Sequence, residues 1–94
     1  MIYRFDYAHK EAARVEELKN GPHTVGLRTT LRAVQSGKAL RVYVAEDADV
    51  FVRRRVQEVC AAQDVECVKV AAMKELGSAC SLQVKAACAA LLRD

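Results

Sequence analysis

The sequence predicts an α/β fold, a single three-layer α-β-α sandwich built around a mixed four-stranded sheet. The chain has 94 residues, which is enough for one small domain over 1–94 and too few for a second core. Segments with helical periodicity alternate with short apolar segments along the whole chain. No linker interrupts that alternation, so the helices should cover both faces of one sheet.

The first predicted elements are a helix and a brief strand. Asp6 can cap a helix over 7–19, in which apolar residues recur near helical spacing. The Asn-Gly-Pro sequence at 20–22 ends this helix, because Asn or Gly adopts the left-handed turn and Pro cannot continue a helix. The next segment, 23–26, is long enough only for a short strand.

A second helix and the strongest strand follow. Ser36-Gly37 ends the helix, and the strand over 40–45 is β-branched and nearly free of charge. Three apolar residues at helical spacing predict the buried face of the helix: Leu27, Leu31 and Val34.

The acidic segment 46–49 is predicted to be a loop leading into a third helix. Asp47 or Asp49 can cap this helix, which extends to about Gln63. Four apolar residues predict its buried face: Val52, Val56, Val59 and Cys60.

The remaining predicted elements are a strand, a short helix and a final strand. The segment 65–70 is mainly apolar and forms the second clear strand. A short helix over 73–79 ends near Gly77-Ser78. The segment 84–92 is rich in alanine and would suit a helix by propensity, but we interpret it as a strand beside the others.

The net charge of the chain, +3, comes from one stretch. Residues 21–45 contain no Asp or Glu, whereas acidic and basic residues nearly balance elsewhere. The basic residues of this stretch are Arg28, Arg32, Lys38 and Arg41. This distribution favours an anionic partner bound by one surface, with chance clustering of charge as the alternative.

Within the basic stretch, a helix start is suited to binding phosphate. Gly26 precedes the second helix, whose first N–H groups can donate to an anion. Arg28 and Arg32 are four residues apart and project from one face beside that helix start. Arginine matches phosphate and guanine edges well, so the pattern favours nucleic-acid binding, with a solvated helix face as the alternative. The run Arg53-Arg54-Arg55 is spread around its helix and is interpreted as surface.

Catalytic and metal-binding chemistry has little support in the sequence. The glycine-rich phosphate-binding motifs and the nucleophile elbow are absent. Glu46, Asp47 and Asp49 follow a strong strand and could hold Mg²⁺, but a loop with a helix cap explains the same residues. We therefore expect no enzyme, no cofactor and no metal site.

The four cysteines are interpreted as structural thiols. No two have the C-x-x-C spacing, and the two histidines are distant from them in sequence. Cys60, Cys67 and Cys88 lie in apolar segments, where free cysteine acts as a small hydrophobic residue. Cys80 follows a helix instead of preceding one, so no helix dipole would activate it.

The chain also lacks the features of a membrane or secreted protein. Its uncharged runs are far shorter than the roughly 20 apolar residues that cross a bilayer. Its first residues contain no apolar signal core. We therefore expect a cytoplasmic protein without a membrane partner.

Three sequence blocks carry a family resemblance. Residues 26–37 read GLRTTLRAVQSG, residues 42–49 read VYVAEDAD, and residues 73–80 read MKELGSAC. In this order and at these separations, the blocks are similar to those of the ribosomal L7Ae family of kink-turn-binding proteins, particularly its small bacterial members. The resemblance covers residues 10–92.

The resemblance implies a non-catalytic α-β-α sandwich that binds kink-turns, in which a bulge and tandem sheared G·A pairs bend an RNA duplex sharply. The helix start would enter the widened major groove at the G·A pairs. The loop after the third block would contact the splayed bulge nucleotides, with Leu82 as the apolar contact. The implied partner is structured RNA, with ribosomal RNA and riboswitches as candidates. We expect the protein to be a monomer. The implied contacts are Gly26, Arg28, Thr29, Arg32, Cys80, Ser81, Leu82, Gln83 and Val84.

Two positions depart from the family pattern. Arg28-Thr29 stands where archaeal members have Asn-Glu and bacterial members Lys-Gln, so the carboxylate that accepts from a guanine is missing. Ser81 stands where most members have glycine, which would restrict the loop at the bulge.

These two departures motivate one alternative function, a general ribosome- or RNA-associated protein of the same fold without strict kink-turn selectivity. Another is a protein-interaction or small-ligand domain that uses the acidic loop 46–49.

Overall fold

The structure, a computed structural model, describes residues 15–93. The helices are α1 (Glu17–Asn20), α2 (Leu27–Gln35), α3 (Val50–Gln63) and α4 (Met73–Ala79). The strands are β1 (His23–Val25), β2 (Ala39–Ala45), β3 (Glu66–Val70) and β4 (Cys88–Leu92). Most of the helix predicted over 7–19 lies outside the described residues, and only α1 falls within them. None of the described helices combines the length and the apolar character needed to cross a membrane.

The four strands form one mixed sheet in the order β1-β4-β2-β3. β4 is antiparallel to both β1 and β2, whereas β2 and β3 are parallel. Ala90 of β4 lies opposite Thr24 on one side and Val42 on the other. The fourth strand in sequence therefore fills the gap between the first two, and the predicted mixed four-stranded sheet is confirmed.

Helices cover both faces of the sheet and produce the predicted three layers. α2 and α3 pack on one face, where Val42 and Val44 of β2 contribute to the core. α1 and α4 cover the other face, where Tyr43 and Ala45 contribute. Successive side chains of a strand point to opposite faces, so β2 supplies both cores at once. This double burial explains why the strand over 40–45 is nearly free of charge in the sequence.

The strand predicted over 84–92 begins later in the structure, at Cys88. The residues before Cys88 form a loop that folds back over α4. In this loop the Ala86 N–H donates to the Met73 carbonyl at 3.1 Å. Because the Ala86 N–H bonds to α4 and not to a neighbouring strand, the strand pairing of β4 does not extend back through the whole segment 84–92.

All four cysteines are free and buried, in agreement with their interpretation as structural thiols. Burial raises the pKa values of Cys80 and Cys88, which keeps these two thiols protonated near neutral pH. A hydrogen bond with Cys67 lowers the pKa of Cys60, against the opposite effect of burial. Cys80, which the sequence placed at the edge of a loop, is only 4% exposed.

A partly buried polar cluster joins α1 to the sheet. The Arg41 guanidinium of β2 forms ion pairs with Glu17 of α1 and with Glu66 of β3, and its Nε lies 3.1 Å from Glu66 Oε1. Burial opposes the charge of Arg41, but the bond to Glu66 and the nearby Glu17 carboxylate raise its pKa overall. The Tyr43 hydroxyl donates to Glu17 Oε1 at 2.6 Å, and desolvation together with this bond raises the pKa of Tyr43. The cluster therefore holds one helix against two adjacent strands.

Gly77 marks a close approach between α4 and the loop that follows it. A Cβ atom built on Gly77 would lie 2.0 Å from the carbonyl oxygen of Val84. Atoms in a packed interior cannot come so close, so a larger residue at this position must displace the loop backbone.

We expect Gly77→Ala to lower the free energy of unfolding by about 1–3 kcal/mol, because the added methyl group forces backbone atoms apart. Helix propensity alone predicts the opposite sign, since alanine favours a helix over glycine by about 1 kcal/mol. Urea denaturation measures the difference. Ser78→Ala, at an exposed position of the same helix, is the control and should change stability little. A Gly77→Ala variant more stable than the parent would contradict the close approach.

Candidate nucleic-acid interface

Both predicted contact segments lie at one end of the sheet. The carboxyl ends of β1, β2 and β3 and the amino end of β4 meet there. The Gly26 N–H donates to the Cys88 carbonyl at 3.0 Å, which joins the start of α2 to the first residue of β4. The loop over 81–87 leads directly into Cys88. This hydrogen bond therefore fixes the helix start beside the end of the loop.

Gly26 has a backbone conformation that is open essentially to glycine alone, with φ 99° and ψ 159°. It is the N-cap of α2, and within the described chain no side chain caps this helix. Its carbonyl accepts from the Thr30 N–H at 3.0 Å, which closes the first turn. The N–H groups of that turn lack a capping side chain and are suited to donate to a phosphate.

The predicted side chains of α2 are accessible. Arg28 and Arg32 are exposed and lie on the same side of the helix because they are four residues apart. Thr29 is also exposed, but its hydroxyl donates back to the Val25 carbonyl at the end of β1. This bond stabilises the turn from β1 into α2. It leaves the Thr29 oxygen available to a ligand only as an acceptor.

The loop after α4 presents apolar side chains at the same end of the sheet. Leu82 is 38% exposed and Val84 is 68% exposed, with the exposed Gln83 between them. The Leu82 N–H donates to the Gly77 carbonyl at 2.9 Å, which attaches the loop to α4. The resemblance pointed to Leu82 as the apolar contact, whereas the structure makes Val84 the more accessible of the two.

Cys80, the C-cap of α4, and Ser81, the first residue of the loop, are both constrained by the fold. Cys80 belongs to the buried core on the α1 and α4 side of the sheet, so its side chain packs inside the protein. Ser81 has φ 65°, in the left-handed region of backbone conformation. A residue other than glycine there costs of order 1 kcal/mol. Glycine adopts this left-handed conformation without that cost.

The acidic loop caps two different helices. Asp49 is the N-cap of α3, and its Oδ1 accepts from the Phe51 N–H at 2.7 Å. Asp47 Oδ1 accepts from the Met73 N–H at 2.8 Å, at the start of α4. The prediction of a loop with a helix cap is confirmed, although the sequence could not indicate the Asp47 partner. Over residues 15–93, no group of three or more His, Cys, Asp or Glu side chains is placed to hold a metal ion.

The run Arg53-Arg54-Arg55 divides between two environments. Arg53 is partly buried, and its Nε donates to the Ala48 carbonyl at 3.0 Å. Arg54 and Arg55 are exposed, in agreement with their interpretation as surface. Sequence reasoning did not select Phe51, which is 75% exposed on the same helix. The signal that could have identified it is its spacing of three and four residues from Arg54 and Arg55.

Sequence comparison identifies close relatives. The profile of the ribosomal protein L7Ae/L30e/S12e/Gadd45 family matches residues 9–94. An RNA-binding protein from Geobacillus sp. (strain WCH70) is 46% identical over 76 residues, which are 81% of this chain and 93% of that protein. RNA-binding protein YbxF from Geobacillus stearothermophilus is 42% identical over 76 residues, again 81% of this chain and 93% of the relative.

Structural comparison agrees on the fold. The Giardia lamblia 15.5kD RNA binding protein superimposes with a TM-score of 0.89 and 24% sequence identity, over 96% of this chain and 79% of that one. This likeness confirms the α/β architecture that the alternation of helices and strands predicts. With the profile match over residues 9–94, it follows that the chain belongs to the ribosomal protein L7Ae/L30e/S12e/Gadd45 family.

Proposed function

We propose that this protein is a non-catalytic RNA-binding module that recognises and stabilises kink-turns in structured RNA. The observation that carries the proposal is the hydrogen bond between the Gly26 N–H and the Cys88 carbonyl, which brings the start of α2 and the loop over 81–87 to one end of the sheet. Membership of the family and the RNA-binding names of its relatives support it. Ribosomal RNA and riboswitches are the candidate targets. The protein would act in the cytoplasm as a monomer without a cofactor.

The two segments would read different features of the RNA. The N–H groups at the start of α2 and the side chains of Arg28 and Arg32 would bind phosphates and guanine edges. Leu82 and Val84 would pack against unstacked bulge nucleotides, which expose apolar base faces. A kink-turn offers both features close together, whereas a regular duplex offers no unstacked base.

A second candidate function has its own observation. The Thr29 hydroxyl is bonded to the Val25 carbonyl, and Thr29 has no carboxylate to accept from a guanine amino group. The start of α2 could therefore bind the backbone more than the bases, which favours a general RNA-associated protein of the same fold. The acidic loop is a weaker candidate for a ligand site, because Asp47 and Asp49 both serve as helix caps.

Removal of the two α2 arginines should weaken kink-turn binding strongly. We expect the double variant Arg28→Ala, Arg32→Ala to lose about 2–5 kcal/mol of binding free energy, because each charge-assisted contact contributes about 1–3 kcal/mol. Titration at one fixed salt concentration measures the loss. The RNAs are a kink-turn, the same RNA with its G·A pairs replaced, and a plain duplex.

The matched control removes two positive charges at the opposite end of the sheet, with Lys38→Ala and Arg93→Ala. Both residues are exposed, and the Arg93 N–H donates to the Lys38 carbonyl. Bulk electrostatics predicts similar losses for the two double variants. Equal losses would therefore refute the α2 site. A larger loss for the α2 pair that is the same on all three RNAs would favour the second candidate function.

The loop prediction concerns its apolar side chains. We expect Leu82→Asp and Val84→Asp each to lower kink-turn affinity by about 2 kcal/mol, because a charge replaces an apolar surface that meets an unstacked base. The larger effect should belong to Val84, which is 68% exposed. Thermal unfolding should change little.

Leu40→Asp serves as the control for the loop variants. Leu40 is 44% exposed at the amino end of β2, away from the proposed interface, and the substitution adds the same charge. Unchanged kink-turn affinity in both loop variants would show that the loop is not part of the interface. A loss in the Leu40 variant as large as theirs would indicate a general effect of charge.

A further inference from the structure

A groove lies between the start of α2 and the first turns of α3. Its volume is about 380 Å³, and it opens to solvent. It is lined by Leu27, Phe51, Val52, Arg54, Arg55 and Glu58. Four of these residues lie at i, i+3, i+4 and i+7 along α3, so they share one side of that helix.

Phe51 is the most unusual residue of this groove. Its ring is 75% exposed, although an aromatic ring of this size normally contributes to a core. Its backbone N–H is bound by Asp49, which fixes the residue at the first turn of α3 while the ring remains accessible. Neither hydrophobic core of the described chain includes Phe51. The ring therefore presents a flat apolar face to solvent beside the helix start proposed to bind RNA.

The charges around Phe51 favour an anionic occupant. Arg54 and Arg55 are exposed and line the groove, and Glu58 is the acid that lines it with them. Arg54 and Arg55 lie one turn from Phe51 and Glu58 lies one turn further along α3, so the arginines outnumber the acid among the lining residues. An exposed aromatic ring next to arginines is the arrangement that binds unpaired nucleic acid, with a base on the ring and phosphates at the guanidinium groups.

The groove is continuous with the proposed kink-turn interface. Leu27, which lines the groove, is the first residue of α2 and stands in the chain between Gly26 and Arg28. RNA bound at the start of α2 would therefore bring its neighbouring nucleotides to the mouth of the groove.

We propose that this groove binds an unpaired RNA nucleotide that flanks the kink-turn, with its base stacked on Phe51 and its phosphate beside Arg54 and Arg55. The inference rests on the proposed kink-turn function and extends it to the single-stranded RNA next to the motif. The protein would thus prefer kink-turns that adjoin a single-stranded segment over kink-turns enclosed between two closed helices.

The test compares a kink-turn with blunt ends and the same kink-turn carrying a short single-stranded tail, placed in turn at each strand end. One tail nucleotide is 2-aminopurine, whose fluorescence falls on stacking. We expect one tail position to raise the affinity of the parent protein about tenfold and to show quenching, because stacking of one base on an aromatic ring contributes on this scale. Phe51→Ala, and separately Arg54→Ala with Arg55→Ala, should remove this gain and leave affinity for the blunt RNA within about twofold.

Phe51→Leu keeps an apolar side chain without an aromatic face, and it should remove most of the quenching. Leu40→Ala is the matched control for an exposed apolar residue elsewhere and should keep the full gain. Thermal unfolding checks that the variants are folded. Since Phe51 is exposed, truncating it should leave the melting temperature nearly unchanged.

The outcomes separate this inference from the proposed function. The inference would be overturned if no tail raised the affinity, or if Phe51→Ala kept the full gain in affinity. Kink-turn binding would still stand in either case, and the groove would be left to a protein partner. The inference would also be overturned if Phe51→Ala lost as much affinity for the blunt kink-turn as for the tailed one. If the parent binds no kink-turn but binds a single-stranded oligonucleotide in a Phe51-dependent manner, the kink-turn function fails and the groove remains an RNA site. If it binds neither RNA, both proposals fail.

Discussion

The insertion of β4 between β1 and β2 is the constraint on which the rest of the molecule depends. β4 bonds to a strand on each side, and its residues are buried in both cores. Its first residue, Cys88, accepts the Gly26 N–H, while the Ala45 N–H at the end of β2 donates to the Ala87 carbonyl just before it. One strand therefore positions the start of α2, the end of β2 and the end of the loop over 81–87. Both layers of helices pack against the two central strands, β4 and β2.

The proposed interface uses backbone conformations that ordinary residues avoid. Gly26 and Ser81 both have positive φ values, and each stands at the beginning of a proposed contact segment. The Gly26 conformation is stabilised by its bond to Cys88, and the loop at Ser81 is held by its attachment to α4. Strained conformations persist where the surrounding structure fixes them, and they are concentrated at functional sites. Positive φ values also occur at Gly37 and at Asp64, the C-cap of α3.

Much of the fold follows from local patterns in the sequence. The strand over 40–45 is predicted by its β-branched residues, and an N-cap at Asp47 or Asp49 is predicted by the position of these residues before a helix. Burial on both sides of the sheet follows from strands with few charges. These features depend on neighbouring residues, so periodicity and composition are enough to predict them.

The remaining features depend on contacts between distant residues, which periodicity does not contain. Asp47 caps α4 through Met73, and the partner could not be predicted because the two residues meet only in the folded chain. The start of β4 at Cys88 depends on the bond of Ala86 to α4, whereas the sequence shows a segment over 84–92 that is apolar apart from Lys85. Phe51 does not belong to the buried face predicted for α3, but only the packing of the folded chain shows that its ring is 75% exposed.

The order of the strands in the sheet determines when the interface can form during synthesis of the chain. β1 is an edge strand of the sheet and pairs with β4, with His23 opposite Leu91. Closing a sheet between such distant segments is slow compared with forming local helices. On a translating ribosome, β1 and α2 emerge long before the strand that holds them. A nascent or prematurely ended chain that stops before Cys88 lacks the carbonyl that anchors Gly26, so it would present the arginines of α2 on an unanchored helix. The proposed RNA interface would therefore form only after β4 has been made and has paired with β1 and β2.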